Sequence, residues 1–371
     1  MGKGLEGVVA AATAISCIDG INGRLFYRGI EINDLAEHST FEETTALLWY
    51  GKLPTRSQLE SFQRKFYDNR QIPNEILALL MSLPKKTAPM EVLRTAVSAL
   101  SSYDPEDLDN SLEANVHKSL RLTASMPTIV AAWDRIRNNQ WPILPSTSLG
   151  HAANFLYMLT GKEPTPKAAK VLDTCLILHA DHGLNASTFA ARITASTLSD
   201  LHSAITSAIG TLKGPLHGGA NEQVMHMLRE IGQVDRVDQY IRGAINAKKK
   251  IMGFGHRVYK ADDPRAAWLQ RLSKDLAEST GNRKWYEMSE RIRGLVQESK
   301  PLPVNVDFYS ASVYYTLGIP IDLFTPIFAI SRVAGWTAHV YEQYSDNRLI
   351  RPESEYIGPI AVEYTPVDQR T

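Results

Sequence analysis

Residues 252–265 read Met-Gly-Phe-Gly-His-Arg-Val-Tyr-Lys-Ala-Asp-Asp-Pro-Arg. The glycines at positions 253 and 255 allow the backbone to adopt positive φ and to approach a ligand closely. His256 follows this turn, and Asp263-Pro264 is typical of the start of a helix that would carry Arg265. An imidazole and a fixed cation beside a flexible turn predict a site for an anionic ligand that has a carbonyl group.

The same stretch excludes a dinucleotide-binding fingerprint. Such a fingerprint needs a third glycine at position 258, where the chain has valine. A phosphate-binding loop of the form G-x-x-x-x-G-K-[ST] does not occur in the sequence. Because an isolated G-x-G turn is most often structural, a functional site at His256 requires partners from other parts of the chain.

Outside this turn, helical periodicity dominates. Residues 15–27 predict a β-hairpin around Asp-Gly and Asn-Gly. Thr40 with Glu43, and Thr55 with Gln58, predict capping boxes at two helix starts. Pro127 should kink one long helix. Further helices are predicted from Pro89 and over residues 111–137, 151–159, 167–180, 187–212, 219–231, 237–249, 264–279, 282–299 and 321–344. The fold class is therefore all-α with one small hairpin.

A chain of 371 residues exceeds one ordinary core, so two domains are expected. Charge density is higher between about residues 222 and 300 than in the flanks. We therefore predict a smaller helical domain over residues 219–322, set into a larger one formed by residues 1–218 and 323–371.

Composition narrows the functional class. The 40 basic and 40 acidic residues balance, which argues against a nucleic-acid or membrane-surface protein. Two distant cysteines favour a reducing compartment over a disulfide framework. The N-terminus does not resemble a signal peptide, and no window approaches the roughly 18 apolar residues of a membrane span. We expect a cytoplasmic protein.

Seven of the ten histidines lie between residues 151 and 256. His179 and His182 have the i, i+3 spacing of one helix face, and His182 precedes a glycine break. His179 is interpreted as a packed histidine at a helix end, and His182 as a ligand contact. His217 stands between Leu216 and two glycines, ahead of a helix whose free N–H groups would attract an anion. That helix terminus would also lower the basicity of His217 and keep it neutral.

Two further features complete the candidate site. Asp307 is delivered by a short apolar run to the start of a helix, where an ordinary cap is the main alternative. Arg332 stands in an apolar helix and therefore needs a buried anionic partner, either a protein carboxylate or a substrate carboxylate. Together, histidine, aspartate and arginine favour proton abstraction beside a carbonyl in a dicarboxylate site, with no metal signature.

Four motifs together resemble the citrate synthase family, in its short bacterial and archaeal form. They are His179-Ala-Asp-His-Gly-Leu-Asn-Ala-Ser187, Lys213-Gly-Pro-Leu-His-Gly-Gly-Ala-Asn-Glu222, Met252-Gly-Phe-Gly-His-Arg-Val-Tyr-Lys260 and Asn305-Val-Asp-Phe-Tyr-Ser310. The resemblance implies condensation of acetyl-CoA, oxaloacetate and water to citrate and CoA. It also implies a two-domain helical fold and a homodimer, with neither a metal nor a permanently bound cofactor.

The resemblance also assigns roles. Asp307 would take a proton from the acetyl methyl group, His217 would donate to the thioester carbonyl, and His256 would donate to the ketone. Oxaloacetate would be held by His182, Arg265, Arg332 and, from the other subunit, Arg351. CoA would lie along Ile251, Met252, Gly253, Phe254 and Gly255.

Three alternatives remain open. A 2-methylcitrate synthase would use propionyl-CoA on the same scaffold, although Asp181 before His182 gives modest support to citrate. A metal-dependent hydrolase would use His179, His182 and Asp307. A non-catalytic helical scaffold would have to explain these polar residues by packing alone.

Overall fold

The computed structural model describes residues 3–5, 7–256, 258–300 and 302–370. Within these ranges the protein has sixteen α-helices and one small sheet, which confirms the predicted all-α class. The helices are α1 Ile32–His38, α2 Phe41–Tyr50, α3 Arg56–Asp68, α4 Asn74–Ser82, α5 Pro89–Leu100, α6 Leu112–Arg137, α7 His151–Thr160, α8 Pro166–His179, α9 Ala186–Ser196, α10 Leu201–Leu212, α11 Ala220–Ile231, α12 Val237–Asn246, α13 Pro264–Thr280, α14 Lys284–Ser299, α15 Val306–Thr316 and α16 Phe324–Ser345.

The sheet contains the predicted hairpin and one strand more. Strands β1 (Ser16–Asp19), β2 (Arg24–Tyr27) and β3 (Ile30–Glu31) pair antiparallel in that order. The turn between β1 and β2 uses Gly23 at φ 65°, a conformation that favours glycine. The two-residue β3 was not predicted, because a strand this short has no detectable alternation.

Side-chain caps set several helix starts. Thr55 and Gln58 form the predicted reciprocal capping box at α3. Thr40 caps α2, but the reciprocal half of that predicted box is absent. The side chain of Glu43 instead accepts a hydrogen bond from the hydroxyl of Ser39 at 2.8 Å.

The prediction of one helix over residues 187–212 was wrong. Helix α9 ends at Ser196, and Leu198 adopts a left-handed φ of 64° that interrupts the helix. Asp200 then starts α10 by accepting a hydrogen bond from the backbone N–H of Ser203 at 2.7 Å. The apolar periodicity continues across this break, so periodicity alone did not reveal it.

Helix α16 lies at the centre of the molecule, and nearly all of its residues are buried. It contacts α2, α6, α8, α9 and α10. Helix α6, also largely buried, continues through Pro127. Arg332 therefore stands in one of the most enclosed elements of the protein.

Helices α11 to α15 contact one another through the pairs α11–α15, α12–α14, α13–α14, α13–α15 and α14–α15. They also contact the rest of the protein, because α13 touches α1 and α8, and α11 touches α16. The division into residues 1–218, 219–322 and 323–371 stays a prediction. Within the described ranges, no helix is both long enough and apolar enough to cross a bilayer.

Candidate active site

The predicted glycine turn is fastened to the start of α15. Phe254 forms an isolated antiparallel bridge with Val304. The backbone N–H of Asn305 donates to the carbonyl of Gly253 at 3.0 Å, and its side-chain amide donates to the carbonyl of Gly255 at 3.1 Å. The turn is therefore a fixed part of the site.

Close packing explains the first glycine of this turn. Gly253 has φ 86°, and a Cβ atom there would lie 2.6 Å from Cδ2 and 3.0 Å from Cα of Phe308. Phe308 adjoins Asp307 in the first turn of α15. Only glycine lets the turn approach the backbone that carries Asp307 this closely.

His256 is held in one tautomer by the backbone. Its Nδ1 accepts hydrogen bonds from the N–H groups of Val258 and Tyr259, both at 3.0 Å. Since a backbone N–H can only donate, Nδ1 is the acceptor, and the proton of the neutral ring lies on Nε2. The ring centre lies 5.4 Å from that of His182. His256 therefore offers a donor beside a second imidazole.

His182 is buried, and its Nε2 lies 3.3 Å from the hydroxyl of Tyr259. Burial, followed by the charges of Arg265 and Arg332, lowers the pKa of His182 well below its ordinary value. His182 is therefore neutral in the physiological range. Tyr259 is a site residue that the sequence reasoning missed, although it lies only three residues after His256.

His217 is also held in one tautomer. The backbone N–H of Ser187 donates to its Nε2 at 3.3 Å, and the hydroxyl of Ser187 lies 2.8 Å from the same nitrogen. Nε2 therefore accepts, and Nδ1 carries the proton. The indole N–H of Trp336 donates to the Ser187 hydroxyl at 3.1 Å and fixes its position.

The pKa of His217 is lowered to about 4, as a neutral donor requires. Burial is the largest cause of this shift, and the charge of Arg332 adds to it. The effect of the helix terminus stays a prediction. Ser187 and Trp336 were not identified from sequence, because both are distant from His217 along the chain.

Arg265 is buried and already paired. Its Nε and Nη2 donate to the two carboxylate oxygens of Asp263 at 2.9 and 2.7 Å. A two-pronged contact of this kind fixes the plane of the guanidinium. The predicted cation is present, but Asp263 offsets part of its charge.

Arg332 has no carboxylate partner in the described chain. Its Nε donates to the carbonyl of His179 at 2.6 Å, and its guanidinium lies 4.6 Å from the centre of the Phe328 ring. Nη2 is buried and makes no hydrogen bond with a described residue. Burial lowers the pKa of Arg332 to about 10, so it remains charged at neutral pH. A buried cation in this position calls for an anionic ligand.

His179 serves the structure, as predicted. Its Nδ1 lies 2.7 Å from the carbonyl of Cys175, one helical turn earlier. Helix α8 ends at His179, so the prediction that His179 and His182 share a helix face was wrong. The segment after Ala180 is not helical, and it carries His182.

Asp307 is a stronger base than an ordinary aspartate. Burial raises its pKa to about 7, Asp263 also raises it, and Arg265 and Arg332 act in the opposite direction. Arg332 also acts on the pKa of His217, and Arg265 on that of His256. The charges of Arg265 and Arg332 thus reach these candidate groups.

One group of potential metal ligands lies here. His182, His256 and Asp263 each offer an atom within 4.8 Å of the others. A metal ion would compete with existing bonds, because Asp263 binds a guanidinium and Nδ1 of His256 binds two backbone N–H groups. The hydrolase trio of His179, His182 and Asp307 does not form such a group.

Arg351 is not brought to this cluster. Its side chain is exposed at the start of a C-terminal segment, residues 351–370, that is exposed almost throughout. In the segment predicted to receive CoA, Ile251, Met252 and Gly255 are partly exposed, whereas Phe254 is buried against Phe308 with ring centres 4.7 Å apart.

The chain is similar to known proteins over its whole length. The sequence model of the family "Citrate synthase, C-terminal domain" matches residues 4–353. "Citrate synthase 2" of Bacillus subtilis is 52% identical, with 99% of each chain covered. A 2-methylcitrate synthase of Shewanella oneidensis is 42% identical, with 100% of this chain and 98% of the relative covered.

Solved structures agree with these sequence relatives. The ternary complex of carboxymethyl coenzyme A and oxaloacetate with citrate synthase from the archaeon Thermoplasma acidophilum has a TM-score of 0.94. It is 33% identical, with 100% of this chain and 99% of that chain covered.

Proposed function

Because the chain belongs to the citrate synthase family, we propose that it condenses acetyl-CoA with oxaloacetate and water to give citrate and CoA. One observation carries the proposal: backbone N–H groups hold His217 and His256 in tautomers that each leave a ring N–H free to donate. Two such donors suit a reaction in which two carbonyl oxygens gain negative charge.

In the first step, Asp307 removes a proton from the acetyl methyl group of the thioester. Nδ1–H of His217 donates to the thioester oxygen and stabilises the enolate that forms. The pKa of Asp307, about 7, supports this role because a base is most effective when its pKa lies near the working pH. The low pKa of His217 supports donation from a neutral imidazole.

In the second step, the enolate carbon attacks the ketone of oxaloacetate. Nε2–H of His256 donates to the ketone oxygen and passes its proton as the carbon–carbon bond forms. His182, Arg265 and Arg332 hold the substrate, and the unpartnered Nη2 of Arg332 supports a carboxylate at that position. Water then hydrolyses the thioester and releases CoA.

The finer features of the enzyme are part of the same proposal. We propose that CoA lies along residues 251–255, and that no metal or permanently bound cofactor takes part. We also propose a cytoplasmic homodimer in which Arg351 completes the site of the other subunit. Its exposed position supports this last role.

The test is release of free thiol from acetyl-CoA in the presence of oxaloacetate, with and without a chelator. We expect turnover in both conditions. His256→Ala and Asp307→Ala should each lower kcat by about 10²–10⁴-fold. The control is His226→Ala, which alters an exposed histidine on α11. If both site variants retain activity within a few-fold of the wild type, the assigned roles are wrong.

A 2-methylcitrate synthase is the second candidate, because relatives with that activity in their names also match. The same assay with propionyl-CoA decides between them through the two values of kcat/KM. One methylene in a pocket is worth about 1–3 kcal/mol, so some activity with both substrates is expected. A higher kcat/KM for propionyl-CoA would replace the citrate assignment.

A further inference from the structure

A network of buried polar side chains begins at Asp181, one residue before His182. Asp181 is fully buried; its carboxylate accepts a hydrogen bond from the Ser16 hydroxyl and another from the N–H of Gly183 at 3.0 Å. The carboxylate also lies 3.2 Å from Nε2 of His339, which is fully buried too. Burial opposes ionisation, but His339 and the other partners hold the pKa of Asp181 below its ordinary value. Asp181 is therefore an anion at neutral pH.

The network of buried polar side chains continues at the other ring nitrogen of His339. Nη1 of Arg192 lies 3.2 Å from Nδ1 of His339 and 2.6 Å from a carboxylate oxygen of Glu342. Since a guanidinium can only donate, Nδ1 of His339 accepts. Nε2, which lies 3.2 Å from the Asp181 carboxylate, is then the ring nitrogen that carries a proton. Arg192 thus fixes the ring so that Nε2–H lies 3.2 Å from Oδ1 of Asp181, a close polar contact that does not meet hydrogen-bond geometry.

One face of α16 is fastened to the segment that leads to His182. The Ser331 hydroxyl donates to the carbonyl of Leu176, Nε of Arg332 donates to that of His179 at 2.6 Å, and the N–H of Gly335 donates to that of Ala180 at 3.1 Å. His339 adds the next contact along the same face. These residues have the spacing of successive helical turns.

Gly335 makes this approach possible. A Cβ atom at that position would lie 2.4 Å from the carbonyl oxygen of Ala180 and 2.4 Å from Oδ1 of Asp181. The helix backbone therefore rests directly on the turn that carries His182. Arg332 lies one turn before this contact and His339 one turn after it.

We propose that Asp181 and His339 are positioning residues that align His182 with Arg332 for oxaloacetate binding. His182 and Arg332 belong to different elements, so their spacing depends on how α16 is seated against the 180–183 turn. The Asp181–His339 contact links these elements. Because Asp181 is a buried charge, a shift of the helix that separated it from His339 would leave that charge without its partner, at a large cost in free energy. This inference rests on the proposed function, because oxaloacetate is the ligand that it concerns.

The test compares four variants by steady-state kinetics. In His339→Gln, the side-chain amide nitrogen takes the place of Nε2 and keeps an N–H group beside Asp181. His339→Asn is too short to do so, and His339→Leu removes the donor altogether. Thr337→Val is the matched control: Thr337 is buried in the same helix, but its hydroxyl accepts from Trp49 at 2.9 Å, away from the site.

We expect His339→Asn and His339→Leu to raise the KM for oxaloacetate by about tenfold or more. In the same two variants, the KM for acetyl-CoA should stay within about threefold of the wild type. In His339→Gln and Thr337→Val, the KM values for both substrates should stay within about threefold. A purely structural role would lower thermal stability without this difference between the two substrates. Calorimetric titration with oxaloacetate alone should show the same loss of affinity.

The inference is overturned if His339→Asn and His339→Gln have the same KM for oxaloacetate. It is also overturned if both substrates are affected equally. Because His339→Asn and His339→Gln both keep a polar side chain, the comparison between them does not depend on whether His339→Leu folds. Failure of the proposed function is a separate result, since wild-type protein would then release no thiol from acetyl-CoA with oxaloacetate.

Discussion

Gly253→Ala is the most direct test of how the glycine turn serves the site. The substitution places a methyl group 2.6 Å from Cδ2 and 2.8 Å from Cβ of Phe308, on a backbone with φ 86°. Restoring an ordinary carbon–carbon contact of about 3.5 Å requires a displacement of nearly 1 Å. Phe308 adjoins Asp307, so the displacement acts on the proposed base.

The expected loss of folding stability has two contributions. Left-handed φ in a non-glycine residue costs about 1–2 kcal/mol. Overpacking against a buried ring and backbone adds about 1–3 kcal/mol. A shift of about 1 Å in a reacting group can lower the rate by about 10²-fold. We therefore expect Gly253→Ala to lose about 2–5 kcal/mol of stability and about 10²-fold in kcat.

The chain offers a matched control two residues away. Gly255 has the same φ of 86°, but a Cβ atom there would meet nothing within 4 Å. Gly255→Ala should therefore show the backbone strain without the overlap, with a loss of about 1–2 kcal/mol. Denaturant unfolding measures the stabilities, and thiol release measures kcat. Equal losses of stability and kcat in the two variants would refute the reasoning.

Two further predictions concern pH. Because the pKa of Asp307 is raised to about 7 and the base must be ionised, kcat/KM for acetyl-CoA should fall about tenfold per pH unit below 7; a profile that is flat down to pH 5 would contradict this. His151 is buried between Phe41 and Phe66, and burial lowers its pKa to about 3. Between about pH 6.5 and 3 the unfolded state therefore binds more protons than the folded state, so the free energy of unfolding decreases as the pH falls. His151→Phe should reduce the decrease in unfolding free energy between pH 7.5 and 4.5 by about 2–3 kcal/mol, as measured by urea unfolding. An unchanged pH dependence would show that His151 does not cause this decrease.

Local secondary structure could be predicted from the sequence. Thr55 with Gln58 predicted a capping box, Asp-Gly and Asn-Gly predicted a hairpin, and the long apolar periodicity predicted α16, because each feature depends on residues a few positions apart. The break at Leu198 escaped prediction. An isolated left-handed residue leaves the apolar pattern on both sides unchanged.

The residue types of the site were also present in the sequence: imidazoles on glycine turns, an aspartate at a helix start, and an arginine in an apolar helix. Only the tertiary structure decided their chemistry. The tautomer of His217 depends on Ser187, thirty positions away, and the pKa of Asp307 depends on burial and on the charge of Arg265. Proton positions and charge states follow from desolvation and from contacts between distant segments, and these arise only when the chain is folded.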